Sequence, residues 1–218
     1  MTEAERRVAE RFGSRFLRSY SRSKLRIDPA YRAVLELLRG SSAPLFDVGC
    51  GLGLLEFFLR ENGLKNAITG IDHDERKVAQ ANAIASHYTD LEFHSGDARE
   101  QIPAGRSVLL IDVLHYFSAG DQRRILENAA AAVPEGGMVI IRDAVRDGSL
   151  RYRLTAAQEA FSRLIRWLRA ERLNFPARDD ITAPFRGFEQ EVVPMWGRTP
   201  FNNYLFVFRR SSGGMTKR

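Results

Sequence analysis

One stretch constrains this chain more than any other: Phe46-Asp47-Val48-Gly49-Cys50-Gly51-Leu52-Gly53-Leu54-Leu55. An apolar run meets an acidic residue, glycines follow at alternate positions, and a helix-forming segment begins at Leu54 and extends to Arg60. The pattern predicts a buried strand, a tight turn and a helix start. Glycine has no Cβ, so it accepts positive φ and lets a ligand press against the backbone. The first amides of the helix point outward and favour electron-rich groups. A nucleotide-like cofactor lying over the turn is the expectation. The dinucleotide pattern G-x-G-x-x-G/A fails, because counting from Gly49 or Gly51 ends on Leu54 or Glu56. The Walker pattern fails too, for no Gly-Lys-Ser/Thr follows.

The chain in order supports an α/β domain. Val8, Phe12, Phe16 and Tyr20 recur every fourth residue and predict one helix over Ala4 to Tyr20. Asp28-Pro29 starts another, stopped by Gly40, with Val34, Leu37 and Leu38 on its apolar face. Strands are predicted over Pro44 to Val48, Ala67 to Ile71 ending at Asp72, Leu91 to His94, Ser107 to Val113 and Met138 to Ile141. Helices are expected between them, the one after Ser118-Ala119-Gly120-Asp121 opening in capping-box form. Such alternation argues a parallel sheet covered on both faces, with ligands beyond the carboxyl ends of the strands. Asp47, Asp72, Asp97, Asp112 and Asp143 all fall at or just past predicted strand ends. Thr155-Ala156-Ala157-Gln158 then reads as the start of a helix with Phe161, Leu164, Ile165 and Leu168 inward. Asn174 to Phe188 reads as loop. Glu191 to Trp196 and Asn203 to Arg209 close the domain as an antiparallel hairpin.

The 218 residues suit one α/β domain, and no stretch approaches a membrane span. The amino end lacks the layout of a secretory signal, and the single cysteine, Cys50, allows no internal disulfide. A reduced, cytoplasmic setting is the expectation. The formal charge of +6 is concentrated in two places. Arg6 to Arg26 and Arg151 to Arg172 carry many arginines and few acids. They serve either as a basic surface for an anionic substrate, carrier protein, membrane or nucleic acid, or as solvated helix faces. Nucleic acid is disfavoured, because no interleaved basic–aromatic motif of a recognised kind is present. The chain reads as a basic helical cap over 1–40, a cofactor-binding domain over 41–210 with a cap helix inserted at about 151–172, and a flexible tail over 211–218.

Asp-x-Gly-x-Gly-x-Gly at Asp47 to Gly53 resembles motif I of the class I S-adenosylmethionine (SAM)-dependent methyltransferases. The resemblance extends from about Pro44 to Phe208. It implies a Rossmann-like, mostly parallel seven-stranded sheet with a C-terminal antiparallel hairpin and helices on both faces. It implies SAM as cofactor, held by Asp47, Gly49, Gly51, Gly53, Asp72, Asp97, Ala98 and Asp112. Asp72 matches the family's ribose-hydroxyl ligand, Asp97 the group that takes the adenine amine, and Ala98 an added backbone amide. Pro134-Glu135-Gly136-Gly137 is similar to the turn before strand five, and Gly187-Phe188 to the pair before strand six.

The Asn/Asp-Pro-Pro-Tyr box of nucleobase amino-methylating enzymes is missing; Asp112-Val113-Leu114-His115-Tyr116 looks more like small-molecule methyltransferases. His115 is the candidate base for a phenol or hydroxyl acceptor, or packs beside the cofactor. Arg142 and Asp143, expected just past strand five, either bind the acceptor or form a surface ion pair. Tyr20, Tyr116, Phe201 and Asn202 are candidates for the acceptor pocket, Asn202 equally for a turn. No His/Asp/Glu metal triad stands out. A narrower similarity, to small bacterial methyltransferases of aryl-polyene and aromatic pigment pathways, implies O- or C-methylation of an aromatic or phenolic group, with an acyl carrier protein as a partner. An RNA or protein methyltransferase and a non-catalytic SAM-binding subunit stay open, as do a homodimer and a peripheral membrane contact.

Overall fold

The computed structural model describes residues 1–164, 173–196 and 201–211. It divides into two compact units, Met1–Ala98 and Arg99–Arg218. The strands β1 (Leu45–Val48), β2 (Ile68–Asp72), β3 (Leu91–Ser95), β4 (Ser107–Ile111), β5 (Met138–Ala144), β6 (Glu189–Pro194) and β7 (Asn203–Arg209) form a seven-stranded sheet in the order β3-β2-β1-β4-β5-β7-β6. This is the Rossmann-like, mostly parallel architecture expected from the sequence, with antiparallel strands at its C-terminal end.

In the first unit, α1 (Glu3–Glu10) and α2 (Arg15–Ile27) replace the single helix expected over Ala4 to Tyr20. The periodic aromatics do not share one face. Ser14 Oγ accepts the Leu17 N–H at 3.1 Å and starts a new helix just after Gly13. Phe12 therefore sinks into the core against Phe57, while Phe16 and Tyr20 are exposed on α2. The helix α3 (Ala30–Leu38) is entered through Asp28, whose Oδ1 accepts the Ala30 N–H at 3.0 Å. Its buried face carries Leu35 rather than Leu37.

Then β1 (Leu45–Val48), α4 (Leu54–Glu61), β2 (Ile68–Asp72), α5 (Glu75–Ala85) and β3 (Leu91–Ser95) alternate as predicted. The parallel register sets Asp47 beside Gly70 and Gly70 beside Phe93. Gly70 has no room for a side chain: a Cβ there would stand 2.7 Å from the Phe93 ring and 2.8 Å from Cys50 Cβ. The helix α1 is tied down by Arg7 and Arg11, which reach Glu61 on α4 at 2.6 and 3.3 Å.

The second unit holds β4 (Ser107–Ile111), a 3-10 turn at Leu114–Tyr116, α6 (Ala119–Ala132) and β5 (Met138–Ala144). It continues through α7 (Leu150–Leu164), α8 (Arg178–Thr182), β6 (Glu189–Pro194) and β7 (Asn203–Arg209). The strand β4 ends at Ile111 because Asp112 takes a left-handed φ of 57°. The strand β5 runs three residues past the predicted end, so Arg142 and Asp143 lie within it, paired with Leu205 and Tyr204 of β7. Both are buried, so the surface ion pair considered for them is corrected.

The helix α7 begins at Leu150, ahead of the predicted Thr155. Ser149 Oγ takes the Tyr152 N–H at 3.1 Å, whereas Thr155 Oγ1 donates to the Arg151 carbonyl inside the helix. The inward residues predicted from Phe161 onward lie outside the residues whose side chains are described, as do residues 197–200 of the hairpin joint and the tail from 212. The segment read as loop between Asn174 and Phe188 contains α8 and a 3-10 turn at Ala183–Phe185. Phe185 there stacks on Phe208 of β7 at 4.0 Å, a contact of roughly 1 kcal/mol beyond its area burial. Among the described residues no helix is long and apolar enough to cross a membrane.

Candidate functional site

The glycine turn of the first unit is built as the sequence implies. Gly49, Gly51 and Gly53 have φ of 85°, 58° and 73°. The amides of Gly49 and Cys50 donate to the Ile71 carbonyl at 2.8 and 3.0 Å, which bends the chain over the end of β2. Asp72 locks the turn from the other side. Its Oδ2 accepts the Gly51 N–H at 2.9 Å and its Oδ1 the Asp74 N–H at 2.9 Å. A carboxylate holds about four acceptor positions, so lone pairs are left over for hydroxyl groups. A Cβ on Gly51 would meet nothing closer than Asp72 Oδ2 at 4.0 Å. The turn therefore presents bare backbone to open space in front of Asp72. Gly53 is the N-cap of α4 and brings no side chain to that helix end. Asp97 and Ala98 follow β3 and are half-buried.

Sequence reasoning missed Glu56. It lies in the first turn of α4, fully buried beside Asp47. Burial, then its charged neighbour Asp47, pushes its carboxyl well above the usual range. Burial likewise raises Asp47 to about 6, and the Asp72 charge adds to the rise. The signal was present as one acid inside Leu54-Leu55-Glu56-Phe57-Phe58-Leu59. The thiol of Cys50 is pushed up by burial first and by Glu56, Asp47 and Asp72 next, so it is no nucleophile.

In the second unit, Asp143 gathers the turn after β4. Its Oδ2 accepts the N–H groups of Leu114 and His115 at 2.9 and 3.3 Å. Its Oδ1 stands 2.6 Å from His115 Nδ1 and accepts the Ala144 N–H at 2.7 Å. An acceptor so used assigns the hydrogen to Nδ1, which leaves the imidazole lone pair on Nε2. His115 is 5% exposed and Asp143 0%. Phe175 stacks on the imidazole at 5.5 Å, and the Tyr116 ring lies 4.1 Å away.

A second residue missed in the sequence, Gln122 of α6, donates through Nε2 to the carbonyls of Leu114, Phe117 and Asn174. It thereby fastens the segment before Phe175 to the histidine turn. Arg142 pairs with Asp112, and its carbonyl accepts the Asp112 N–H at 2.7 Å. The arginine thus anchors a residue in left-handed conformation.

The predicted pocket residues fall in both units. Tyr116 is at the histidine, whereas Tyr20 is an exposed residue of the first unit. Phe201 is half-buried. Asn202 is buried, its side chain donating to the Val145 carbonyl and its backbone to Thr155 Oγ1, both at 2.8 Å. Those bonds shape the chain before β7, which is the turn role weighed for it.

A seven-stranded sheet of this order with a glycine turn after β1 and an acid after β2 defines the class I, SAM-dependent methyltransferase fold. Residues 45–137 match the family described as a methyltransferase domain. Among curated proteins it is 35% identical over 124 residues to an O-methyltransferase of Zea mays, covering 56% of this chain and 32% of the relative. It is 31% identical over 118 residues to anthranilate N-methyltransferase of Ruta graveolens, covering 53% and 31%. The matched part spans about a third of the length of these curated relatives. Among solved structures, magnesium protoporphyrin IX methyltransferase of Synechocystis PCC 6803, with bound S-adenosylhomocysteine (SAH), superposes with a TM-score of 0.66 at 18% identity. That match covers 96% of this chain and 94% of the other.

Proposed function

We propose that the chain is an enzyme that transfers a methyl group from SAM to a small aromatic or phenolic acceptor, on oxygen or ring carbon. The observation that carries this reading is the buried His115–Asp143 pair, walled by the rings of Phe175 and Tyr116. The turn from Gly49 to Gly53 and the Asp72 carboxylate fit a nucleoside cofactor, through exposed amides and acceptor oxygens. Asp97 and Ala98 would address the adenine. When bound, SAM supplies an electrophilic methyl group on a cationic sulfur.

The chain's own residues do the rest. His115 Nε2 takes the acceptor proton, Asp143 holds the ring by Nδ1 and stabilises the imidazolium, and aromatic walls orient a flat substrate. Methyl transfer to the acceptor oxygen would leave SAH and a proton as the other products. Similarity to O- and N-methylating plant enzymes supports a small acceptor. The exposed Arg15, Arg22 and Arg26 of α2 support an acidic carrier protein as the vehicle. Calorimetry with SAM and SAH, followed by a screen of free and carrier-linked phenols, tests the reading. Micromolar binding and turnover of a phenol are expected, whereas folded protein that binds neither ligand would overturn it.

A further inference from the structure

Asp47 and Glu56 are an uncommon pair to bury. They are 3% and 0% exposed. Among the described residues no N–H or O–H donor reaches Asp47 Oδ1 or either oxygen of Glu56. Burial, with the Asp47 charge beside it, lifts the Glu56 carboxyl well above the usual range, so Glu56 is the member of the pair that holds a proton. A third carboxylate, Asp72, faces both across the turn and holds the Gly51 amide.

Among the described residues, the basic side chains nearest this cluster are engaged elsewhere or are mostly exposed. Arg7 and Arg11 of α1 are committed to Glu61, and Arg60 of α4 to the carbonyls of Leu64, Asn66 and Asp90. His73, next to Asp72, is a mostly exposed ring 3.4 Å from that carboxylate. The remaining neighbour, Cys50, is a thiol kept protonated. For stability alone, an apolar residue at 56 would serve better, since buried acids without donors are costly. What the arrangement provides is a negative field at a turn that presents bare backbone to open space.

We propose that the Asp47–Glu56 pair makes the turn selective for the charge of the methyl donor over its neutral product. The inference rests on the cofactor reading above. The donor and SAH share adenosine and amino-acid parts and differ in the sulfur, cationic in one and an uncharged thioether in the other. A cation at the turn favours the ionised pair, so the Glu56 proton passes to solvent as the donor binds. The thioether leaves the pair protonated and loses that attraction. Methyl transfer therefore weakens the enzyme's hold on its own product. Glu56 acts here through Asp47 and the field, as a positioning residue.

Calorimetry in buffers of different ionisation enthalpy, at about pH 7, measures the proton count directly. SAM should release a substantial fraction of one proton and SAH close to none. The ratio of the SAH and SAM dissociation constants should rise roughly tenfold between about pH 5 and about pH 7.5, as expected for a pKa displaced by about one unit. In Glu56→Gln, whose amide donates to Asp47 permanently, the extra release and the slope should vanish. Equal release with both ligands, or a slope retained in Glu56→Gln, overturns the proposal while leaving the cofactor reading intact. Absence of binding by either ligand removes both. The wild-type comparison stands even if the variant does not fold.

Discussion

His115 Nδ1 and Asp143 Oδ1 lie 2.6 Å apart with both side chains buried, and the same carboxylate holds the backbone amides of Leu114 and His115. Orientation of the ring and the conformation of its turn thus depend on one residue of β5. Removing the imidazole while keeping that turn is the cleaner perturbation. His115→Ala should lower kcat by about 10²- to 10⁴-fold and change the SAM dissociation constant by less than about twofold. Unaltered turnover at saturating acceptor would remove His115 as the base.

Asp72 closes the glycine turn through the Gly51 and Asp74 amides. Asp72→Ala loses both bonds and the carboxylate proposed for the ribose. Hydrogen bonds to charged groups are worth about 1.5–3 kcal/mol, so SAM affinity should fall by roughly 10- to 100-fold. Titration calorimetry reads this directly, and an unchanged affinity would displace the cofactor from this turn.

Gly53 combines a φ of +73° with crowding: a Cβ would stand 2.7 Å from Phe93 Cζ and 3.0 Å from the Phe57 ring. Gly53→Ala should destabilise the protein by roughly 1–3 kcal/mol, and urea unfolding gives the value. A loss below about 0.5 kcal/mol would mean that the rings of Phe57 and Phe93 move aside at little cost.

The buried acids predict an unusual pH dependence of stability. Burial raises Asp47 to about 6 and lifts Glu56 in the same direction. The folded state then binds more protons than the unfolded chain, so stability falls as pH rises from the ordinary carboxyl range near 4 through about 6. Without ligand, the protein should lose on the order of 2 kcal/mol across that window from these groups. Glu56→Gln should flatten the loss. Urea midpoints at about pH 5 and about pH 8, for both proteins, check the sign.

Asp112 holds a left-handed φ and pairs with the buried Arg142. Asp112→Ala leaves that guanidinium without this partner and forces alanine to positive φ. A loss of about 2–4 kcal/mol is expected from thermal or urea unfolding. Asp112→Asn, which tolerates the backbone, should lose less.

Local chemistry determined much of this protein in advance. Glycine is required where φ is positive and a ligand approaches, so the turn at Gly49 to Gly53 was legible from residue types alone. The alternation of apolar runs with capped helices carried the parallel sheet, and the alternating Tyr204, Phe206 and Phe208 carried the last strand. Pairings across the sheet were not legible. The register that sets Ile111 beside Arg142 brings Asp143 to His115, 28 residues away, and Arg142 to Asp112, 30 away. No local propensity encodes those separations. The same holds for the break between α1 and α2, where the Ser14 cap overrode a regular aromatic period. It holds for Asn202, whose amide was drawn to the Val145 carbonyl. Glu56 is the plainest case. In the sequence it is one acid in an apolar helix, and only burial beside Asp47 in a dry interior raises both carboxyls, because desolvation is a property of the folded surroundings.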